Sequence, residues 1–253
     1  MTKFVALYDL HWGFERVGGH KRPLHDERAL KSALKFISEF EPDVVILGGD
    51  MLDCACISHH TKGKPGQKEG LRLLADAKGL QEALIKPLEN TNAELVYITG
   101  NHEAWLDQLV EGEPGLEGIV DLRAILALGE DWRVVPQGGT YKLGKLVFAH
   151  GDQFSGGEHI GKAAVTAAEK SVRFGHFHTY QVYTKTSVVT EKSHTGIAIP
   201  CLCRKDPSYG KGAPNKWIQG FNYGFVGEKG TFHDYVALIQ DGSTVIDGKV
   251  YRG

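Results

Sequence analysis

The sequence predicts an α/β fold, one domain in which two packed sheets lie between helices. Three observations carry that expectation. Bare apolar runs with β-branched residues, Val44-Val45-Ile46-Leu47 above all, alternate with stretches of helical apolar spacing over the first two-thirds of the chain. Beyond His178 the pattern changes to strands separated by turns. Several of the early strands stop at a carboxylate, an amide or an imidazole, and open α/β sheets gather their chemistry at the carboxyl ends of their strands. A length of 253 residues admits one large domain. No internal repeat, low-complexity tract or linker divides it, so residues 1–253 are expected to form a single domain.

Composition narrows the function. The chain is 24% charged with a formal charge of −2, which leaves no global basic field to draw in nucleic acid. Attraction for a phosphate must therefore be local. No apolar run approaches the ~18 residues needed to cross a membrane. The amino terminus runs from Met1 straight into a strand without a signal-peptide layout, which predicts a cytoplasmic protein. The four cysteines fall in two pairs, Cys54/Cys56 and Cys201/Cys203. In a reducing compartment they are expected to be thiols that pack in the interior. A tetrathiolate zinc site is disfavoured, because only one residue separates the members of each pair.

The elements follow in order. Phe4 to Tyr8 is a buried strand, and Phe14 to His25 a solvated loop. Asp26 to Phe40 is a helix with apolar positions Leu30, Ala33, Leu34, Ile37 and Phe40, ended by Pro42. The Val44–Leu47 strand runs into Gly48-Gly49, which let the backbone turn before Asp50. Cys54 to Gly70 reads as a long exposed loop, Leu71 to Leu88 as a helix broken near Pro87, and Leu95 to Thr99 as a third buried strand. A helix over Leu116–Leu128 and a short strand at Arg133–Val135 come next. Tyr141–Leu143 and Leu146–Ala149 flank Gly144-Lys145 as a hairpin. Ile160 to Ser171 is helical, and Val172–Phe174 is a strand. Five further strands are expected at Gln181–Thr190, Gly196–Pro200, Phe221–Val226, Thr231–Ile239 and Ser243–Tyr251.

The strand ends hold the chemistry. They carry Asp9 and His11; Asp50 and Asp53; Asn101 and His102; His150; and His176 and His178. Each alone is a turn residue or a cap. Five together, mixing carboxylate, amide and imidazole, suit a borderline or hard divalent cation such as Mn²⁺, Fe²⁺ or Zn²⁺. Residues i and i+2 of an extended segment point the same way, so Asp9 and His11 can share one ion.

Asp9-x-His11-x-Gly13, Gly49-Asp50-x-x-Asp53, Gly100-Asn101-His102-Glu103, His150-Gly151 and Gly175-His176-x-His178 resemble the five ordered motifs of the calcineurin-like metallophosphoesterases. The resemblance covers residues 9–178 with no motif missing. It implies a four-layer α/β/β/α sandwich of two mixed sheets flanked by helices. It also implies that Asp9, His11 and His178 hold one metal, that Asn101, His150 and His176 hold the other, and that Asp50 bridges them. The cofactor is then two divalent ions, Mn²⁺ foremost, with Fe, Zn, Ni or Mg as alternatives. Two cations about 3.5–4 Å apart can bind the attacking and leaving oxygens of a phosphoryl group and make a shared water nucleophilic near neutral pH. In the family the histidine at position 102 lies near the leaving-group oxygen with Asp53 orienting it. Asn101 and His102 are thus expected to touch the substrate, and His102 and Asp53 to serve as the catalytic acid and its support.

Departures from the pattern select among substrates. Protein Ser/Thr phosphatases of the family carry Arg-Gly after the second Asp, whereas Asp53 is followed by Cys54-Ala55-Cys56. The motif layout is closer to the bacterial and phage phosphodiesterase or DNA-repair exonuclease-like branch. Cys201-Leu202-Cys203, Tyr209, Asn215-Lys216-Trp217 and Gly220-Phe221 are similar to phage-encoded members. Arg204, Lys205, Lys211, Lys216 and Trp217 could contact single-stranded nucleic acid or a nucleotide by charge and stacking; a merely solvated loop is the other reading. Three functions are open to the sequence: a two-metal phosphodiesterase, a phosphomonoesterase for a small substrate, and a non-catalytic metal-holding scaffold. The complete ligand set with His102 and Asp53 weighs against the third.

Overall fold

A computed structural model describes residues 1–208 and 215–253 of the chain. Tyr209 and Lys211, named above, lie outside the described residues. Among the described residues no helix is long and apolar enough to cross a membrane.

Two mixed sheets form the centre. The first has six strands in the order Phe232–Ile239, Gln219–Val226, Thr2–Leu7, Val44–Leu47, Glu94–Ile98 and Trp132–Val135. Its last four strands are mutually parallel. The second has five, Gln181–Thr186, Ser193–Ala198, Ser171–Phe174, Leu146–Ala149 and Thr140–Leu143, with the middle three parallel.

Side-chain alternation along each strand builds the layers. Phe4, Ala6 and Tyr8 face the second sheet and join Ile46, Val96, Ile98, Phe148 and Ile199 in a core between the sheets. Val5 and Leu7 face the other way, against Leu30, Ala33, Phe36 and Ile37 of the helix Glu27–Phe40. On the far side Val147, Val172 and Phe174 pack on Ile160 and Ala164 of the helix Ile160–Ala168. Helix, sheet, sheet, helix is the predicted four-layer sandwich. The strands read as bare apolar runs because both of their faces are covered; each buried Val, Leu, Ile or Phe contributes ~1.5–3 kcal/mol.

One ion pair ties the sheets together. Arg173, on a central strand of the second sheet, reaches Asp234 on the edge strand of the first with Nε–Oδ2 2.5 Å and Nη2–Oδ1 2.7 Å. Both side chains are buried, and Asn222 donates to the same carboxylate at 3.0 Å. A fork-shaped guanidinium meeting a carboxylate through two bonds fixes direction as well as distance.

Several elements differ from expectation. Phe14–Val17 and His20–Pro23 form a hairpin rather than a loop, turning at Gly18 and Gly19, both with positive φ. The helix expected over Leu116–Leu128 contracts to Leu122–Leu126, because Gly118 adopts φ 75° and Asp121 starts a new helix as its cap. The helix Trp105–Gly112 had no expectation. Pro87 does not break the preceding helix: the turn Gln81–Ile85 widens, so that the Lys86 N–H bonds the Gln81 carbonyl. Ser243–Tyr251 is a hairpin of Ser243–Ile246 with Lys249–Arg252 rather than one strand.

Candidate metal centre

All nine sequence-selected residues converge at the carboxyl ends of the parallel strands. Asp9 and His11 follow Thr2–Leu7, Asp50 and Asp53 follow Val44–Leu47, and Asn101 and His102 follow Glu94–Ile98. The second sheet supplies His150 after Leu146–Ala149, and His176 and His178 after Ser171–Phe174. Asp9, His11, Asp50, His176 and His178 all take φ between 50° and 68°. Left-handed backbone is uncommon outside glycine and costs energy that the surroundings must offset. The expected extended geometry for Asp9-x-His11 therefore does not occur; two left-handed residues aim these side chains instead. Asn101 and His102 likewise lie in a tight turn, not an extended segment.

Glycines let these loops touch. Gly49 has φ 100°, and a Cβ on it would lie 2.5 Å from Nδ1 of His150. A Cβ on Gly100 would collide with the Asp50 carboxylate.

The hydrogen bonds fix the imidazole tautomers. Nδ1 of His150 is 3.0 Å from the Gly48 carbonyl, and Nδ1 of His102 is 2.7 Å from the Asp53 carbonyl. A carbonyl only accepts, so both Nδ1 atoms carry hydrogen. Nδ1 of His11 donates to the Asp53 carboxylate at 3.0 Å. Nε2 of each ring is thereby turned into the site. Nε2 of His11 is 3.2 Å from Nε2 of His178 and 3.8 Å from Asp50 Oδ2. Nε2 of His150 is 3.4 Å from Asp50 Oδ2. Asn101 Oδ1 lies 3.0 Å from Nε2 of His150 and 2.9 Å from Nδ1 of His176.

This donor set fits cations. Lone-pair atoms face one another at hydrogen-bond distance, and buried Asp9 Oδ1 has no hydrogen-bond partner among the described residues. Something positive must lie between such atoms. Without metal, protons serve. Burial alone would lower the histidine pKa values, but the Asp50 charge and the hydrogen bonds to Asp53 raise His102 to about 10, and Asp50 raises His150 to about 10. Burial likewise opposes ionisation of Asp50 and Asp53, yet the surrounding histidines hold both well below the usual carboxylate range. Three groups of donors could each converge on an ion: His11, Asp50 and His102; Asp50, His150 and His176; and His11, His178 and Cys203, with Asp50 common to the first two.

Two supporting residues were not assigned from sequence. Buried Glu103 accepts N–H groups of Asp50 at 3.0 Å, Leu52 at 3.0 Å and Gly100 at 2.9 Å, and the Tyr97 hydroxyl at 2.8 Å. It fastens the Asp50 loop to the Asn101 loop. Its place beside Asn101-His102 was the available signal, but its partners are distant backbone groups. Cys203 is the other; its Sγ lies 3.8 Å from Nδ1 of His178. Of the basic residues proposed for nucleic acid, Arg204 pairs with Asp206, and Lys216 with Glu158. Trp217 sets its edge against His178 with centroids 4.2 Å apart.

A four-layer sandwich with a histidine- and aspartate-rich centre at its strand ends defines a class of metal-dependent phosphoric ester hydrolases. The chain belongs to the calcineurin-like phosphoesterases, whose family model matches residues 3–196. That family is dinuclear-metal dependent. No curated protein matches the chain in sequence. Among solved structures it is similar to Vps29 of Chaetomium thermophilum, at 10% identity and TM-score 0.49, covering 100% of this chain and 97% of that one. It is also similar to YfcE, a phosphoesterase from E. coli, at 15% identity and TM-score 0.41, covering 92% and 98%. A third is a dimetal phosphatase from Danio rerio, at 10% identity and TM-score 0.45, covering 90% and 93%. All three scores lie below one half and bear on no functional question.

Proposed function

We propose that this hydrolase cleaves phosphodiester bonds, with a nucleotide or a nucleic-acid strand as the substrate class and two divalent ions, Mn²⁺ foremost, as cofactor. In this reading Asp9, His11 and His178 hold one ion, Asn101, His150 and His176 hold the other, and Asp50 bridges. Bound there, the cations supply positive charge to the phosphoryl oxygens and lower the pKa of water. The remaining work falls to the chain. Asn101 and His102 lie side by side where a phosphate would sit. His102 holds its Nδ1 hydrogen against the Asp53 carbonyl, so Nε2 is the atom that carries a proton toward the leaving oxygen. The Asp53 carboxylate, 3.4 Å from Nδ1, adds to the Asp50 charge in favouring the charged ring. Residues 1–253 act as one domain in this reading, in the reducing cytoplasm that free thiols suit.

The single observation behind this reading is His102, whose ring is anchored on Asp53 with Nε2 left for the leaving oxygen. Both diesters and monoesters of unactivated alcohols expel an alkoxide whose departure a proton assists, so the ring supports general acid catalysis and the assay decides between the ester types. The test compares bis-p-nitrophenyl phosphate, p-nitrophenyl phosphate and single-stranded DNA, with metal-free protein reloaded with Mn²⁺. Turnover of the diester well above the monoester supports the reading. Monoester turnover alone would make the protein a phosphomonoesterase, and no turnover of any substrate by loaded protein would favour a scaffold.

A further inference from the structure

Each histidine that turns Nε2 into the centre needs its Nδ1 held from behind. The Asp53 carboxylate holds His11, the Gly48 carbonyl holds His150 and the Asp53 carbonyl holds His102. His178 follows the same pattern, with Nε2 3.2 Å from Nε2 of His11 and 3.6 Å from Asp9 Oδ1. Among the described residues the partner found for its Nδ1 is the sulfur of Cys203, 3.8 Å away.

We infer that Cys203 is a positioning residue for the metal centre: its sulfur accepts the Nδ1 hydrogen of His178 and fixes the ring with Nε2 toward the cation. This rests on the reading of His178 as a ligand. A thiol sulfur is a weak acceptor that can still orient a ring; it also lies within 4.8 Å of ring nitrogens of His11 and His178, so direct ligation is the alternative that the cobalt spectrum below decides.

The backbone makes Cys203 a rigid support. Its N–H donates to the Asp9 carbonyl at 3.0 Å, and that of Leu202 donates to the same oxygen at 3.1 Å. Cys203 thereby steadies Asp9 through its main chain and His178 through its side chain. Gln219 Nε2 holds the Cys203 carbonyl at 2.8 Å, and the Ile218 N–H holds the His178 carbonyl at 2.9 Å. The segment and the ring it supports are thus fixed to adjacent residues, Gln219 and Ile218, at the start of the strand Gln219–Val226. Cys203 is 2% exposed, so water does not replace the sulfur as acceptor.

The test is calorimetric titration of the metal-free full chain with Mn²⁺. Partners behind a ligating histidine are worth about 10–100-fold in metal affinity. Cys203→Val fills similar volume without an acceptor, and Cys203→Ala removes both. Both should weaken one binding step by about 10-fold and leave the other within about twofold. Cys203→Ser, whose hydroxyl still accepts, should fall between these and wild type. His178→Gln should abolish that same step. A Cys203→Val protein that binds like wild type overturns the inference, since volume alone then suffices. If His178→Gln leaves both steps intact, the ligand assignment itself fails. The absorption spectrum of Co²⁺-loaded wild type guards against direct ligation: a thiolate-to-cobalt charge-transfer band that disappears in Cys203→Ser would make sulfur a ligand and overturn the positioning role. Circular dichroism and melting of each variant confirm folding; Cys203→Ser, the smallest change, decides the matter if the others fail to fold.

Discussion

Nδ1 of His102 lies 2.7 Å from the backbone carbonyl of Asp53, closer than the same residue's carboxylate at 3.4 Å. The ring is thus oriented by the Asp53 main chain, while its charge is favoured first by Asp50 and then by the Asp53 carboxylate. If His102 protonates the leaving oxygen, its removal hurts most where the leaving group is poor. General acid catalysis is worth about 10²–10⁴-fold. His102→Ala should lose about that factor on an alkyl or nucleotide diester and distinctly less on a p-nitrophenyl ester, at unchanged metal content. Equal losses on both would reduce His102 to a phosphate-positioning group.

Asp53 also touches His11, through Oδ2 at 3.0 Å. Asp53→Asn should therefore affect His11, the proposed metal ligand, as well as His102, the proposed acid. A weakened Mn²⁺ step in calorimetry should accompany a rate loss smaller than that of His102→Ala. Rate loss with both affinities unchanged would confine Asp53 to His102.

Asp50→Asn should cost both metals, because a neutral amide bridges two cations poorly. His11→Ala should weaken mainly one. Elemental analysis after dialysis separates the two outcomes, and two tightly held ions in Asp50→Asn would remove the bridge.

Glu103→Gln exchanges one of the two accepting oxygens, which together take four hydrogen bonds, for a donor, leaving at least one buried N–H facing another. An unpaired buried group costs about 1–3 kcal/mol, and each kcal/mol lowers Tm by roughly 2–4 °C in a chain of this size. Thermal melting of the metal-free protein should show that drop. A Glu103→Gln protein as stable as wild type would mean that the two loops are held without it.

The pH dependence of metal-free and metal-loaded protein should diverge. His102 and His150 are raised from 6.5 to about 10 in the folded chain. Raised histidines contribute stability that is complete below 6.5 and fades as pH climbs through about 10. Asp50 and Asp53 are depressed, so their share is present above the usual carboxylate range and lost in acid. Metal-free protein should thus lose Tm from near neutral pH upward, while the gain in Tm on adding Mn²⁺ should grow and binding should release protons. A gain in Tm that shrinks as pH rises would contradict this.

The parts of the fold that could be read from sequence were those whose cause is local. Val44 to Leu47 announces a doubly covered strand by itself, and Asp50 beyond Gly49 announces a strand end. The sandwich was legible because the motifs fall at strand ends of both sheets. What escaped depends on distant partners. Glu103 is indistinguishable from any exposed glutamate until the backbones of residues 50, 52 and 100 close around it. The role of Cys203 depends on a ring 25 residues away. The hairpin at Phe14–Pro23 pairs strands too polar to betray a period of two, and Gly18-Gly19 reads equally as loop or turn.

The Arg173–Asp234 pair has a mechanical consequence for the centre. Asp9, Asp50 and Asn101 ride on one sheet; His150, His176 and His178 ride on the other. Each ion would then be gripped from both sides of a seam, like a rivet through two plates. Sliding one plate along the other would pull every pair of ligands apart together. Arg173 stands on the strand that leads to His176 and is forked into the opposite sheet. It sets the alignment of the plates before any rivet is driven. Loosening that distant fork would then read out as poorer metal retention, although no ligand had been touched.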